Sequence, residues 1–174
     1  MLEKFVPDKY YQSIYSINYK ALKKAKIKCL IFDLDNTLAP VSINNPTSEV
    51  KELMEQLKEL DFKVIIMSNS NKRRIEPFKN SYGVDASAMS LKPLSIRYKK
   101  IMRVYKLSPS EIAAIGDQLV TDIYGANRLG LLSILVNPIS NYDKKITSLN
   151  RFLERKILTK LEKKDLFTKG EYYD

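Results

Sequence analysis

Histidine does not occur anywhere in this 174-residue chain. Its absence excludes Ser-His-Asp and Cys-His catalysis, histidine-ligated zinc and phosphohistidine transfer. Acid–base work near neutral pH is left to carboxylates, lysine, tyrosine or a thiol. Thiols are scarce too: Cys29 is the sole cysteine, so no internal disulfide can form. The residue six positions after it is Asp35, which removes the Cys-x5-Arg signature, and Cys29 reads as a small core residue. The Gly-x4-Gly-Lys-Ser/Thr phosphate loop is missing as well. No apolar run approaches the ~18 residues that cross a bilayer. The N-terminus shows no apolar core followed by a small-residue cleavage site, so the expected location is the cytoplasm.

Positive charge is abundant. Thirty Lys and Arg against twenty Asp and Glu give a formal net charge of +10. That balance favours anionic partners: phosphorylated small molecules, nucleic acid or an anionic membrane surface. Solvated lysines on an ordinary basic protein account for it equally well. A hydrophobic share of 44% and this length suit a single folded domain over residues 1–174. Its core is expected at about 27–136, with a basic segment over 1–26 and a helical extension over 139–174.

Along the chain, short apolar runs alternate with helical periodicity. The segment 1–28 is rich in Tyr and Lys and reads as a helix or turn leading into the first strand, with its lysines solvated or directed at an anionic surface. Lys28 to Phe32 is a buried strand that stops at Asp33. Val50, Leu53, Met54, Leu57 and Leu60 recur at helical spacing within 47–60. Val64 to Met67 is a second strand, followed by a helix over about 71–81 that Gly83 ends. Ala86 to Met89 is a short third strand. Pro93 suits the first turn of the next helix, whose apolar face is Leu94, Tyr98, Ile101, Met102 and Tyr105. Ser108 to Glu111 reads as a capping box turning into a strand over Ile112–Ile115. A helix from about Leu119 to Leu129 and a fifth strand over Leu132–Val136 follow. In the extension, Ile146, Leu149, Phe152, Leu153, Ile157 and Leu161 suggest one helix packed on the body, with mobile last residues. Strands alternating with helices imply an α/β fold, a parallel sheet with helices on both faces and ligands beyond the C-terminal strand ends.

Three polar clusters fall at those ends. Asp33-Leu34-Asp35-Asn36-Thr37 places two carboxylates one residue apart, able to face one crevice. Two buried like charges call for a cation or for hydrogen bonds, and magnesium favours such hard oxygen ligands. An Asx-turn after the strand would use the same residues. Gly116-Asp117 with Asp122 repeats the strand-then-acid arrangement, where ordinary turn chemistry is the competing account. Between them, Ser68 can offer a hydroxyl and backbone N–H groups to phosphate oxygens, and Lys92 a point charge. Each is weak alone, and their order along the chain is what gives them force.

With these residues in view, the chain resembles the haloacid dehalogenase (HAD) superfamily, which is largely phosphatases. Four motifs match in order: Asp33-x-Asp35-x-Thr37, Ser68, Lys92, and Gly116-Asp117 with Asp122. The resemblance implies a Rossmann-like five-stranded sheet of order 3-2-1-4-5. It implies Asp33 as a nucleophile that becomes aspartyl-phosphate, and Asp35 as acid and then base. Mg2+ would be held by the Asp33 and Asp117 side chains and the Asp35 backbone carbonyl. Asp122 and Thr37 would support that shell, and Ser68, Asn69 and Lys92 would bind the transferring phosphoryl group.

Asp35 to Ser68 spans 33 positions and Ser68 to Lys92 spans 24, so neither interval has room for a large cap domain. The resemblance is then to the capless subclass IIIA with an open site, where 39–46 could form a small flap. Phe-Asp-Leu-Asp-Asn-Thr-Leu (32–38), Ser-Asn (68–69), Lys-Pro (92–93) and Gly-Asp-Gln-Leu-x-Thr-Asp (116–122) are most similar to the YqeG-type branch. That branch is related to phosphatidylglycerophosphate phosphatases, which implies a lipid head group as substrate and peripheral contact with an anionic membrane. Two alternatives stand beside it. One is a HAD phosphatase acting on a soluble or nucleic-acid phosphate. The other is a non-catalytic module binding RNA or a membrane.

Overall fold

Six short runs of chain pair edge to edge: β1 (Lys9–Tyr11), β2 (Cys29–Phe32), β3 (Lys63–Met67), β4 (Asp85–Ser87), β5 (Ile112–Gly116) and β6 (Leu132–Val136). In this computed structural model, which describes residues 2–140 and 145–174, they form one all-parallel sheet of order β1-β6-β5-β2-β3-β4. The expected 3-2-1-4-5 order is the β4-β3-β2-β5-β6 part of it. The sixth strand corrects the five-strand expectation. Lys9, Tyr10 and Tyr11 pair with Ile134, Leu135 and Val136. Three residues beginning with a lysine carry too little periodicity to be read as a strand without their partner.

An all-parallel sheet needs cover on both faces. Side chains alternate along a strand, and the sheet sorts them accordingly. Leu30, Phe32, Val64, Ile66, Ala113 and Ile115 face the side covered by α1 (Tyr19–Lys24), α2 (Ser48–Glu59) and α3 (Lys72–Tyr82). Cys29, Ile31, Ile65, Met67, Ile112 and Ala114 face α4 (Ile96–Tyr105) and α5 (Tyr124–Asn127). Helix α2 is capped by Thr47 and buries Val50, Leu53, Met54 and Leu57. In α3, Asn71 accepts from the Arg74 N–H at 3.0 Å, and Gly83 ends the helix in the left-handed conformation at φ 58°. Burial pushes the Cys29 thiol up to about 12, which suits a packing role.

The chain ends are drawn in. Tyr10 is fully buried, and Tyr10 and Tyr173 exchange backbone hydrogen bonds of 2.8 and 2.9 Å. The Tyr173 hydroxyl also donates to the Pro7 carbonyl at 2.8 Å. The last residues are therefore tethered, contrary to the expected mobility. Helix α6 (Lys145–Glu162) packs through Ile157, Leu158 and fully buried Leu161. Phe152 and Leu153, expected in that contact, are instead 46% and 41% exposed. Arg151 and Glu154 take the inward face. Ile146 and Leu149 lie outside the described side chains.

Two further expectations change. Residues 119–129 are not one regular helix but a π-helical turn, Leu119–Ile123, leading into α5. The turn brings Asp122 back over the end of β5. Pro93 is not in the first turn of α4, which begins at Ile96. The Lys92–Pro93 bond is cis, and Leu94, preceding the helix, is exposed. Between β2 and β3 lie one loop and α2, and between β3 and β5 lie α3, β4 and α4, so neither interval holds an inserted domain.

Candidate active site

The site grows from the C-terminal ends of β2, β3 and β5, which are neighbours in the sheet. Phe32 pairs with Ile115 in register, and the Asp33 N–H donates to the Ile115 carbonyl at 2.9 Å. Asp33 and Asp117 thus leave adjacent strands, whose spacing is roughly 4.8 Å. Beyond Asp33 the chain turns sharply. Asn36, one of the residue types that tolerates it, takes the left-handed conformation at φ 66°.

Lys92 sits at the centre. Its ammonium donates to Asp33 Oδ1 and to Asp122 Oδ1, each at 2.6 Å, with only 3% of the side chain exposed. Asn69 sets the lysine in place. Its Oδ1 accepts from the Lys92 N–H at 2.7 Å, and its Nδ2 donates to the Lys92 carbonyl at 3.2 Å. The Asn69 amide thus grips the lysine backbone. Ser68 is buried, and its Oγ accepts from the Ser70 N–H at 3.1 Å.

The fourth motif explains its glycine. A Cβ on Gly116 would lie 2.3 Å from Asp122 Cγ and 2.4 Å from its Oδ2. Only glycine lets the Asp122 carboxylate fold back over the strand end, where Oδ2 accepts from the Gln118 N–H at 3.2 Å. Thr37 Oγ1 donates to Asp117 Oδ1 at 3.3 Å, which joins the first and fourth motifs.

Three charged residues at the site escaped the sequence reading. Arg74 Nε donates to Asp35 Oδ1 at 2.9 Å, and Ser70 Oγ donates to Asp35 Oδ2 at 2.5 Å. The same guanidinium reaches the Pro40 and Ile43 carbonyls and Asn44 Oδ1, so it pins the 40–44 segment beside the site. Arg151 of α6 donates to Asp117 Oδ2 at 2.5 Å and to Glu154 Oε2 at 2.9 Å. Glu154 Oε1 in turn accepts from the Leu119 N–H at 2.8 Å, at the start of the π-helical turn. Arg151 and Glu154, three apart on a predicted helix, look in sequence like an ordinary surface pair. Nothing local shows that they face a buried aspartate 34 residues earlier.

Residues 2–140 match the family model described as mitochondrial PGP phosphatase. The chain belongs to that family. It is a HAD-superfamily phosphatase of the YqeG-type branch. It is 39% identical to the Bacillus subtilis protein named "Probable phosphatase YqeG", over 94% of this chain and 96% of that one. Among solved structures it is similar to a cobalt-bound deoxy-D-mannose-octulosonate 8-phosphate phosphatase of Haemophilus influenzae. The TM-score is 0.52 and the identity 17%, over 85% of this chain and 96% of that one. A Legionella pneumophila structure described as a HAD subfamily III A hydrolase gives a TM-score of 0.50 at 21% identity, over 85% and 91%. At these identities the two structures speak for the fold.

The electrostatics of this phosphatase site are dominated by buried acids. Among the described residues, Asp33 and Asp122 share the Lys92 ammonium, Arg74 pairs with Asp35, and Arg151 with Asp117 and Glu154. Asp33, Asp117 and Asp122 are all buried. Burial first, with Asp122 and Asp35 adding to it against the pull of Lys92, pushes the Asp33 carboxyl up to about 7. Burial and the charge on Asp33 push Asp117 well above its ordinary range, although Arg151 opposes them. Burial works against the ammonium of Lys92, but Asp122 and Asp33 outweigh it and hold the group above its usual range.

The joint burial of Asp33 and Asp117 is the observation that tests a cation site. A divalent ion would offset their charge, and the two offer hard oxygens from adjacent strand ends. Among the described residues no three His, Cys, Asp or Glu side chains form a ready-made metal cage. The donor set in question asks for less, because two carboxylates would be joined by the Asp35 main-chain carbonyl. The side chain of Asp35 is turned instead to Arg74 and Ser70. The residues present fit a divalent ion.

Proposed function

We propose that this phosphatase hydrolyses phosphomonoesters through an aspartyl-phosphate on Asp33 with Mg2+ as cofactor, and that phosphatidylglycerophosphate is its substrate. The observation that carries the mechanism is the Lys92 ammonium, buried and shared at 2.6 Å between Asp33 and Asp122. A lysine so placed keeps one Asp33 oxygen fixed and supplies positive charge where phosphate would approach.

In the first half-reaction an Asp33 oxygen attacks phosphorus, and the bond from phosphorus to the leaving oxygen breaks. Asp35 gives that oxygen its proton. In the second, Asp35 takes a proton from water as the water oxygen attacks the aspartyl-phosphate, releasing inorganic phosphate and free Asp33. Arg74 orients the Asp35 side chain through Nε at 2.9 Å, and its contacts to Pro40, Ile43 and Asn44 give it other partners while Asp35 carries the proton. Ser68, the 68–70 backbone and Lys92 would hold the phosphoryl oxygens. Asp33, Asp117 and the Asp35 carbonyl would hold Mg2+, with Asp122 and Thr37 supporting them. The ion, when bound, offsets negative charge so that two anions can approach.

The substrate reading rests on the matched family and on the open approach left by the missing insert. The test is a Mg2+-dependent screen of phosphatidylglycerophosphate, a sugar phosphate, a nucleotide, a 5′-phosphorylated oligonucleotide and p-nitrophenyl phosphate. Labelled phosphate is chased onto Asp33 by acid quench. Preference for the lipid with label on Asp33 is expected. Unchanged turnover in Asp33→Asn would overturn the nucleophile, and preference for a soluble phosphate would overturn the lipid.

A further inference from the structure

Around the mouth of the site, apolar side chains stand in solvent. Ile43, Met89, Leu91, Leu94, Ile96 and Ile139 are 43–63% exposed. They come from three separate loops and, for Ile96, from the first residue of α4; each loop is tied to a site residue. Ile43 offers its carbonyl to Arg74, the partner of Asp35. The Met89 N–H donates to the Ser70 carbonyl at 2.9 Å and the Ser90 N–H to the Ser68 carbonyl at 3.0 Å. Leu91 directly precedes Lys92, and the Leu94 N–H donates to the Leu91 carbonyl at 2.8 Å. The Ile139 N–H donates to the Asn36 carbonyl at 2.9 Å. Scattered exposed leucines need no explanation, but a set ringing one crevice does. Met89 and Leu91 also adopt left-handed backbone, at φ 46° and 56°, which is uncommon for such side chains.

The charge flanking these loops is one-sided. From Ala86 to Ser110 there is no Asp or Glu, while α4 and its C-cap carry Arg97, Lys99, Lys100, Arg103 and Lys106 besides the buried Lys92. Phe62 to Ile75 also lacks acids and contains Lys72 and Arg73, exposed at the start of α3. Asp33, Asp117 and Asp122 are buried, and Glu76 is exposed in α3 one turn on from Lys72 and Arg73. Aliphatic tips flanked by an excess of cations match the boundary between anionic head groups and acyl chains. Single-stranded nucleic acid would instead call for aromatic platforms, and none of the six is aromatic.

We propose that this rim docks the phosphatase on an anionic bilayer, with the site mouth facing the head groups. Met89 and Leu91 enter the interface while Lys72, Arg73 and the basic residues of α4 contact anionic lipid. The proposal deepens the lipid reading of the substrate and rests on it for its purpose, but binding is measured apart from turnover.

The test is flotation of the full chain with phosphatidylcholine vesicles, with and without phosphatidylglycerol. Met89→Asn/Leu91→Asn keeps a residue type that tolerates left-handed backbone. It is expected to weaken binding to anionic vesicles about tenfold, as partial insertion of two apolar side chains requires. Lys72→Ser/Arg73→Ser should weaken it by about fivefold per cation and flatten its dependence on vesicle charge. Hydrolysis of p-nitrophenyl phosphate and the unfolding midpoint should hold steady in Met89→Asn/Leu91→Asn. Ile139→Ser serves as a second variant should that pair fold poorly. Undiminished vesicle binding in folded rim variants overturns the proposal. So does a failure of wild type to float, or a wild-type dimer that the rim substitutions disperse. Rim-dependent flotation without turnover of phosphatidylglycerophosphate sustains the docking face and removes the substrate. Turnover in detergent without flotation does the reverse.

Discussion

Replacing Arg151 with alanine exposes the charge logic of the site without touching any of its four motifs. The guanidinium lies 2.5 Å from Asp117, whose side chain is fully buried, while 18% of the Arg151 side chain reaches solvent. Removing one partner of a buried ion pair costs about 3–5 kcal/mol, because the other charge stays behind. The partly wetted arginine argues for the lower end, about 3 kcal/mol. Helix α6 keeps its second tie, since Glu154 still accepts from the Leu119 N–H. For a chain of this size the midpoint moves roughly 2–4 °C per kcal/mol, so a loss of about 6–12 °C is expected in EDTA. Mg2+ should repair much of it. A bound ligand at a hundred times its Kd adds about 2.7 kcal/mol of stability, and in Arg151→Ala the ion supplies the charge that Asp117 has lost. Differential scanning fluorimetry with EDTA and with Mg2+ reads this out, with Arg151→Lys keeping the charge but not the fork. A gap that is the same or wider in Mg2+ would refute the idea that guanidinium and ion share one carboxylate. No gap in EDTA would remove the ion pair itself.

Other outcomes follow from the same geometry. Asp33 titrates near 7 in the metal-free fold against 3.8 ordinarily, and Asp117 is raised too. At these two carboxyls the folded state binds more protons than the unfolded one across that window, so their contribution to stability is fullest below about pH 4 and is lost as pH rises towards about 7. No histidine titrates there to mask it. Urea unfolding in EDTA should thus give a higher midpoint at about pH 5 than at about pH 7.5, with Mg2+ flattening the difference; the opposite slope would contradict the burial argument. Gly116→Ala forces a Cβ onto the Asp122 carboxylate and should cost about 1–3 kcal/mol as overpacking. It should also suppress turnover by displacing Lys92, and wild-type kinetics in that variant would show that Asp122 can move freely. Deleting residues 171–174 removes the two Tyr10–Tyr173 backbone bonds and should cost about 2 kcal/mol in urea unfolding. An unchanged midpoint would mean that the tail adds nothing to the β1 edge.

The motif residues were legible because their signals are local. A buried strand reads as an unbroken apolar run, and Leu30-Ile31-Phe32 before Asp33 or Ile112–Ile115 before Gly116-Asp117 announce both a strand and the polar end where ligands sit. Helix α2 was legible from the 3.6-residue spacing of Val50, Leu53, Met54 and Leu57. The absence of histidine and the lone Cys29 exclude histidine-based catalysis and disulfides from sequence alone. Local signals failed where a residue's role depends on a distant partner. The strand β1 exists because β6 presents an open edge, and Lys9-Tyr10-Tyr11 has no pattern of its own to reveal that. Periodicity places Leu94 on an apolar helix face, yet α4 begins only at Ile96 and Leu94 stands in solvent before it.

Sequence alone therefore determined the kind of fold and the acids, serine and lysine that populate the strand ends. Only the tertiary structure decided what neutralises them: Arg74 on Asp35, Arg151 on Asp117, and Lys92 shared between Asp33 and Asp122. The physical reason is range. Periodicity and capping act between residues a few positions apart, whereas charge compensation in a buried site joins side chains 30 to 59 positions apart in the chain.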